Sequence, residues 1–231
     1  MPFDVAVRGA AAGEPSRPFD LVIFDNDGVL VDSEGPAQAV LSKLLTQLGL
    51  PTTPEECFAQ FLGSSLASIR KVAEQRLAAP LPPDFEACYH RDLFEVFRTS
   101  LRPVPGVAGV LAGLEAPTCV ASSGSHERIR VALTTTGLVD RFEGRIFSAT
   151  DVARGKPAPD LFLHAARTPG IDPARCAVIE DSRVGVEAAN AAGMTAFGFA
   201  RITPAEELRH ASGGVFRAMN ELPALLARVR R

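Results

Sequence analysis

The sequence lacks the features that direct a protein to nucleic acid or to a membrane. Its 231 residues contain no Lys/Arg cluster and no basic stripe interleaved with aromatic residues, and the formal net charge is −3. Nucleic acid is therefore not expected as a partner. No apolar run approaches the roughly 18 residues that a membrane-spanning helix needs. The N-terminus lacks a basic segment followed by an apolar core, so we also expect no signal peptide.

Cysteine is scarce, and its spacing argues against a disulfide framework or a thiol-ligated metal site. The four residues Cys57, Cys88, Cys119 and Cys176 include no CxxC pair. Cys119 and Cys176 lie in apolar, strand-like segments, where a thiol behaves as a small hydrophobic side chain. We therefore predict reduced, structural cysteines and a cytoplasmic protein.

What the sequence does contain is an alternation of apolar strand-like runs with amphipathic helical stretches. The strand-like runs lie near residues 19–25, 117–122, 145–149, 176–180 and 194–199. The helical stretches lie near residues 106–115, 125–137, 158–168 and 183–192. This alternation predicts an α/β fold in which a Rossmann-like, mostly parallel sheet has helices on both faces.

One long interruption separates the first predicted strand from the others. It contains no good strand pattern, and it predicts four helices near residues 36–49, 54–61, 65–78 and 83–99. We therefore predict a catalytic core formed by residues 19–32 and 103–231, with a helical domain inserted at residues 33–102. Residues 1–18 are rich in Ala, Gly and Pro and are predicted to form a loose tail.

The most informative segment is FDNDGVLVDSE, residues 24–34, because two carboxylates follow the first buried strand. Asp25 and Asp27 are two residues apart, so in extended chain their side chains point to the same side. Ligands of open α/β sheets bind at this end of the strands. Two adjacent like charges need a cation or a shared proton, which indicates a metal site with acid/base chemistry. The alternative is that Asp25 only caps a turn.

Three further motifs follow in order: VASS (120–123), GKPAPD (155–160) and VIEDSRVGVEAA (178–189). With the first segment, they resemble the signatures of the haloacid dehalogenase-like hydrolases, which are mostly Mg²⁺-dependent phosphatases and phosphomutases. The resemblance spans residues 19–199. It implies that the inserted helices form a cap that closes over the active site.

The resemblance implies roles for the two acids of the first motif. Asp25 would be the nucleophile that forms an aspartyl-phosphate. Asp27 would be the general acid that protonates the leaving oxygen and then the base that activates water. Relatives that cleave carbon–halogen or carbon–phosphorus bonds lack an acid at the position of Asp27, so its presence favours phosphoryl transfer.

The later motifs would supply the phosphate site. The hydroxyl of Ser122, with Ser123 and the backbone N–H groups beyond it, would hold the phosphoryl oxygens. The alternative is that these serines serve only in capping and turns. Lys156, whose backbone is restricted by the following proline, would balance the charge of the phosphate and the nucleophile.

The same motifs would supply the metal site. Paired acids at a strand end suit an oxygen-ligated Mg²⁺. By resemblance, Asp181 would be a direct ligand, Glu180 a direct or water-mediated ligand, and Asp25 and the backbone carbonyl of Asp27 would complete the set. Asp181 and Ser182 could also cap the next helix, and both roles could coexist.

The inserted domain is expected to choose the substrate, through candidate contacts at Ser64, Ser65, Arg70 and the pair 90–91. Relatives that isomerise β-glucose 1-phosphate carry a histidine just after the first motif and an arginine shortly after a cap glycine. Neither is present here, in residues 34–38 or directly after Gly63. Both departures weaken the mutase interpretation without weakening hydrolysis.

We therefore predict a Mg²⁺-dependent phosphatase of small phosphorylated metabolites, such as sugar or sugar-acid phosphates. The alternatives are a phosphomutase of the β-phosphoglucomutase type and a non-catalytic domain that binds a phosphorylated ligand. We predict a monomer, because a cap would already cover the site.

Overall fold

The computed structural model describes residues 18–62, 64 and 66–229. The predicted tail thus lies outside the described residues except for Pro18, and Gly63 and Ser65 lie outside them as well. The chain divides into two compact units. One contains residues up to Val31 and from Pro103 onward, and the other spans Asp32–Arg102.

The first unit is built on a six-stranded sheet in which every pairing is parallel. The strands are β1 (Leu21–Phe24), β2 (Thr118–Ser122), β3 (Ile146–Ser148), β4 (Cys176–Glu180), β5 (Thr195–Phe199) and β6 (Gly214–Phe216). Their order across the sheet is β3-β2-β1-β4-β5-β6. The predicted α/β fold with a parallel sheet and a helical insertion is confirmed, and β6 is an addition that the sequence did not indicate.

Nine α-helices occur within the described residues. They are α1 (Glu34–Gln47), α2 (Pro54–Phe61), α3 (Leu66–Leu77), α4 (Phe85–Ser100), α5 (Val107–Gly113), α6 (His126–Thr135), α7 (Asp160–Arg167), α8 (Arg183–Ala191) and α9 (Leu222–Arg228). The first four form the insertion after β1, and the last five belong to the sheet unit. Only α9 has no counterpart among the predicted helices.

The sheet core is apolar because its central strands are buried on both faces. All four residues of β1 are at most 1% exposed, as expected for a strand in the middle of a parallel sheet. Alternate residues of β1, β2 and β4 pack with α7 and α8 in one continuous cluster on one face, which includes Ile23, Ala121 and Val178. This packing fixes the strand ends that carry the functional side chains.

The insertion has its own small core and its own capping. Leu41, Cys57, Phe61 and Phe97 are at most 3% exposed, which fits the contacts of α1 with α2 and α4. At the start of α2, the Thr53 hydroxyl accepts the N–H of Glu56 and the Glu56 carboxylate accepts the N–H of Thr53. This capping box satisfies two backbone donors that the helix leaves open.

The four cysteines are free thiols, and Cys57, Cys119 and Cys176 are buried. Burial raises the pKa of the Cys119 thiol, with a smaller contribution from Cys176, so it remains protonated and acts as a packing residue. In the described part of the chain, no helix has the length and apolar character needed to cross a bilayer.

Candidate active site

The candidate site lies at the carboxyl edge of the three central strands. Asp25 follows β1, Ser122 ends β2 and Glu180 ends β4. The backbone N–H of Asp25 donates to the carbonyl of Ile179 at 3.0 Å, which extends the β1–β4 pairing to the first acid. Asp25, Ser122 and Glu180 are buried, with 7%, 2% and 0% of their surface exposed. The sheet therefore brings together side chains from three distant motifs.

Lys156 joins two of these acids. Its Nζ donates to Asp25 Oδ1 at 2.6 Å and to Glu180 Oε1 at 2.6 Å. A third bond, of 3.1 Å, goes to the carbonyl of Ala121. The three N–H donors of the ammonium group thus all have a partner. The Lys156 side chain is 3% exposed, so it is a buried bridge between the first and fourth motifs.

The electrostatics follow from burial and from this bridge. Burial raises the pKa of Asp25 to about 7, against the opposing effect of Lys156. Burial alone would lower the pKa of Lys156, but the carboxylates of Asp25 and Glu180 outweigh it and raise that pKa above its usual value. Lys156 is therefore a permanent cation in this cluster. Its single positive charge faces more than one carboxylate.

A third acid completes a candidate metal centre. Asp25, Glu180 and Asp181 each have a carboxylate oxygen within 4.8 Å of the others, and an all-oxygen acidic set suits a hard divalent cation. Room for Asp181 is provided by Gly28. A Cβ there would lie 1.8 Å from Asp181 Oδ2, and the glycine has a φ of +77°. The turn after Asp27 therefore needs glycine for two reasons.

Both oxygens of the Glu180 carboxylate accept hydrogen bonds. Oε1 accepts from Lys156, whereas Oε2 accepts the backbone N–H of Ser182 at 3.1 Å and its hydroxyl at 2.8 Å. Ser182 is also the N-cap of α8, because its hydroxyl accepts the N–H of Gly185. The predicted capping role of Ser182 is confirmed, and the same side chain orients a site acid.

Three serines, at the end of β2 and in the turn before α6, have different surroundings. Ser125 is the N-cap of α6 and accepts the N–H of Arg128 at 3.3 Å. Ser122 is buried, and its hydroxyl accepts the N–H of Gly124 at 3.1 Å. Ser123 is exposed. The helix cap is thus supplied by Ser125, and Ser122 lies at the strand end beside the carbonyl that Lys156 contacts.

The sequence did not indicate a guanidinium group at this edge. Arg128 Nη2 donates to Asp27 Oδ1 at 3.2 Å, and the two side chains are 29% and 25% exposed. His126 is half-exposed, and its Nε2 lies 2.8 Å from Asp151 Oδ1. The sequence signal that could have indicated both residues is their position in the first turn of the helix that follows β2.

This geometry has a counterpart in known proteins. Residues 19–193 match the haloacid dehalogenase-like hydrolases. The chain belongs to this family. It is therefore a hydrolase, and the buried Asp25–Lys156–Glu180 bridge is the centre of a haloacid dehalogenase-like core.

Three relatives are similar to the chain over most of its length. The chain is 28% identical over 207 residues to the 6-phosphogluconate phosphatase of Escherichia coli K12, covering 89% of this chain and 94% of the relative. A haloacid dehalogenase-like protein of unknown function from Agrobacterium tumefaciens C58 is 38% identical, with a TM-score of 0.83 over 90% of this chain and 98% of its own. A family hydrolase from Deinococcus radiodurans R1, crystallised with bound phosphate and sodium, is 33% identical with a TM-score of 0.79, over 93% and 97%.

One candidate contact in the insertion of this hydrolase, Arg70, has partners within the insertion. Arg70 donates to Glu74 and to the carbonyls of Leu81 and Pro82, and its guanidinium lies 5.6 Å from the centre of the Phe85 ring. These contacts tie α3 to the segment before α4. The substrate contact of Arg70 stays a prediction.

The other candidate contact residues in the insertion are Ser64, Ser65 and the pair 90–91. Ser64 is exposed, and Ser65 lies outside the described residues. Arg91 donates to the neighbouring Asp92 at 2.8 Å, and the ring of His90 lies edge-on to Tyr89 at 5.6 Å. Substrate contacts by these residues also stay predictions.

Substitution of Gly185 tests how tightly the protein packs around the Glu180 carboxylate. A Cβ at this position would lie 1.9 Å from Glu180 Cδ and 2.0 Å from its Oε1. Gly185→Ala is therefore expected to displace Glu180 from Lys156, lower the free energy of unfolding by about 2 to 3 kcal/mol and sharply reduce activity. Denaturant unfolding and steady-state kinetics measure the two effects.

The matched control is Gly109→Ala in α5. An added Cβ there meets nothing within 4 Å, and alanine favours an exposed helix position by up to about 1 kcal/mol. This control should keep full activity and equal or greater stability. A Gly185→Ala protein that behaves like the control would contradict the tight packing around Glu180.

Proposed function

We propose that the protein is a Mg²⁺-dependent phosphatase of small phosphorylated metabolites, of the sugar or sugar-acid phosphate class. The reaction would proceed through an aspartyl-phosphate on Asp25. The observation that carries this proposal is the buried bridge in which Lys156 Nζ lies 2.6 Å from both Asp25 and Glu180. A nucleophilic carboxylate needs such a fixed cation, because it must approach an anionic phosphate.

Two side chains would perform the chemistry. A carboxylate oxygen of Asp25 attacks phosphorus while the bond to the ester oxygen breaks, and Asp27 gives its proton to that departing oxygen. Asp27 then takes a proton from the water that attacks the aspartyl-phosphate, which releases inorganic phosphate and restores Asp25. Both acids follow β1 directly, so the same strand end positions the nucleophile and the acid.

The phosphate group would be held by the end of β2 and by Lys156. Ser122 and Ser123 precede α6, and backbone N–H groups at such a helix start bind anions. The bound phosphate of the Deinococcus radiodurans relative supports an anion site in this fold. Lys156 would then face the phosphoryl oxygens as well as Asp25.

The residues present fit a divalent cation. Asp25, Glu180 and Asp181 each place a carboxylate oxygen within 4.8 Å of the others, and such an all-oxygen set suits a hard cation. Asp25, Glu180 and Asp181 would hold the ion, together with the backbone carbonyl of Asp27. When bound, Mg²⁺ would supply Lewis-acid compensation for the charge on the phosphoryl group.

The substrate class is inferred from the relatives and from the insertion. Similarity to a 6-phosphogluconate phosphatase extends over 89% of the chain, which supports a phosphorylated sugar or sugar acid. We assign substrate selection to the helical insertion, residues 33–102, with Ser64 and Arg70 as candidate contacts.

The test is phosphate release from a panel containing 6-phosphogluconate, glucose 6-phosphate, fructose 1-phosphate, β-glucose 1-phosphate and glycerol 3-phosphate. We expect release from one or a few of these compounds with Mg²⁺, and loss of release in EDTA that is restored by added Mg²⁺. Calorimetric titration of Mg²⁺ into the wild-type protein and into Asp181→Asn gives an independent measure of the metal site.

Two outcomes would overturn the phosphatase assignment, and a third would overturn the dependence on metal. Conversion of β-glucose 1-phosphate to the 6-phosphate without phosphate release would show a mutase. Binding of these compounds without any turnover would show a non-catalytic phospholigand-binding domain. Release that persists in EDTA would reject the metal requirement.

A further inference from the structure

We infer that Arg128 is a positioning residue that holds the Asp27 carboxylate in the orientation needed for its two proton transfers. This inference rests on the proposed function, because it gives Asp27 an acid and base role. It concerns a side chain that belongs to none of the four motifs, since Arg128 lies between the second and third of them.

The contact itself is specific and partly shielded. Arg128 Nη2 lies 3.2 Å from Asp27 Oδ1, and the two residues are 101 positions apart in the chain. About a quarter of each side chain is exposed. Solvent therefore screens this pair less than it screens a fully exposed ion pair.

The backbone and the side-chain stem of Arg128 both contact the turn between β2 and α6. Its backbone N–H donates to the Ser125 hydroxyl that caps α6. Its stem passes over Gly124, where an added Cβ would lie 3.4 Å from Arg128 Cδ. Since Gly124 also donates its N–H to Ser122, the turn after β2 places Arg128 and orders the predicted phosphate site together.

An arginine suits this role chemically. Asp27 must face an ester oxygen in one step and a water molecule in the next. A guanidinium group donates to one oxygen of the Asp27 carboxyl group and stays protonated throughout. The second oxygen of Asp27 is then presented to the reacting atoms in both steps.

Arg130 on the same helix provides the contrast. It pairs with Glu143 through two bonds of 3.1 and 3.0 Å, and both side chains are about half exposed. Arg130→Met removes an arginine and an ion pair from α6 without contact with the acids of the site. It is therefore the matched control for Arg128→Met.

The experiment compares leaving groups. It uses the alkyl phosphate of the panel that is hydrolysed fastest and 4-nitrophenyl phosphate, whose leaving group departs without a proton. The value of kcat/KM reports the steps up to departure of that group. For Arg128→Met we expect kcat/KM to fall by about 10- to 100-fold with the alkyl phosphate and by less than about threefold with 4-nitrophenyl phosphate. Arg130→Met should change neither value.

A double-variant cycle identifies the partner. In an Asp27→Asn background, Arg128→Met should cause no further loss with the alkyl phosphate, because residues that act through one group are not additive. Arg128→Lys keeps a positively charged hydrogen-bond donor and should recover part of the lost kcat/KM. If circular dichroism shows that Arg128→Met does not fold, Arg128→Lys takes its place in the comparison.

Three results would overturn the inference. They are an equal fall in kcat/KM for both substrates, a full further loss in the Asp27→Asn background, and an Arg128→Met protein with wild-type rates. Any of these, with Asp25→Asn inactive, rejects only the role of Arg128. Turnover by Asp25→Asn would instead reject the proposed function.

Discussion

Asp25→Asn is expected to reduce turnover of the best substrate by at least about 10⁴-fold, because an amide cannot form the covalent phosphoenzyme. The substitution is nearly isosteric, and Lys156 keeps its bonds to Glu180 and to the carbonyl of Ala121. Steady-state phosphate release measures the loss. Intact-mass spectrometry after acid quenching should detect a covalent phosphate on the wild-type chain and none on the variant.

The same variant should retain or gain stability. Burial raises the pKa of Asp25 to about 7, which means that its charge is unfavourable in the folded protein near neutral pH without a bound cation. Asparagine removes that charge and its repulsion with Glu180 and Asp27. We therefore expect a Tm in EDTA that is equal to or above that of the wild type.

Asp20→Asn is the control at the other end of the same strand. Asp20 precedes β1 and pairs with Arg175, so its loss should leave activity within about twofold, as for most exposed ion pairs. Turnover by Asp25→Asn within tenfold of the wild type would contradict the assignment of the nucleophile.

The sequence predicted the sheet and its insertion well because both depend on local patterns. The buried strands are continuous apolar runs, and the structure places β1, β2, β4 and β5 within two residues of their predicted limits. The four helices of the insertion also appear where they were expected. β6 and α9, the last strand and the last helix of the described residues, were not predicted from the sequence.

The contacts among the site acids followed from chain geometry. Residues at the carboxyl ends of neighbouring parallel strands must meet, so Asp25 and Glu180 could be paired from the sequence alone. Lys156 was predicted to lie near Asp25, and the structure adds its equal contact with Glu180. The structure also shows that Gly185 lies directly against the Glu180 carboxylate.

Contacts that depend on three-dimensional register could not be predicted. Arg128 meets Asp27 only because the turn after β2 directs α6 in one particular way, and an arginine in an amphipathic helix usually lies in solvent. Arg70 is similar: its partners Glu74, Leu81 and Pro82 are set by how α3 packs on the following segment. Side-chain direction at such positions is a property of the packed fold.

Lys156→Met is expected to have the largest combined effect on stability and activity. It leaves the buried carboxylates of Asp25 and Glu180 without their cation, and loss of one partner of a buried ion pair costs about 3 to 5 kcal/mol. Activity should fall by about 10³-fold, because the phosphate and the nucleophile lose their shared counter-charge. Lys43→Met is the control, since Lys43 is 62% exposed and should change neither property.

A second substitution separates the two effects of Lys156. In Lys156→Met/Glu180→Gln, the buried site has one negative charge fewer, and glutamine can still accept from Ser182. Denaturant unfolding in EDTA should therefore show that much of the lost stability returns, whereas phosphate release should stay as low as in the single variant. Recovery of activity along with stability would show that Lys156 serves the fold alone. Because Glu180 is also a proposed metal ligand, the activity of the double variant is compared with that of Glu180→Gln alone. Activity well below that of Glu180→Gln is the result expected if the ammonium group faces the transferring phosphate.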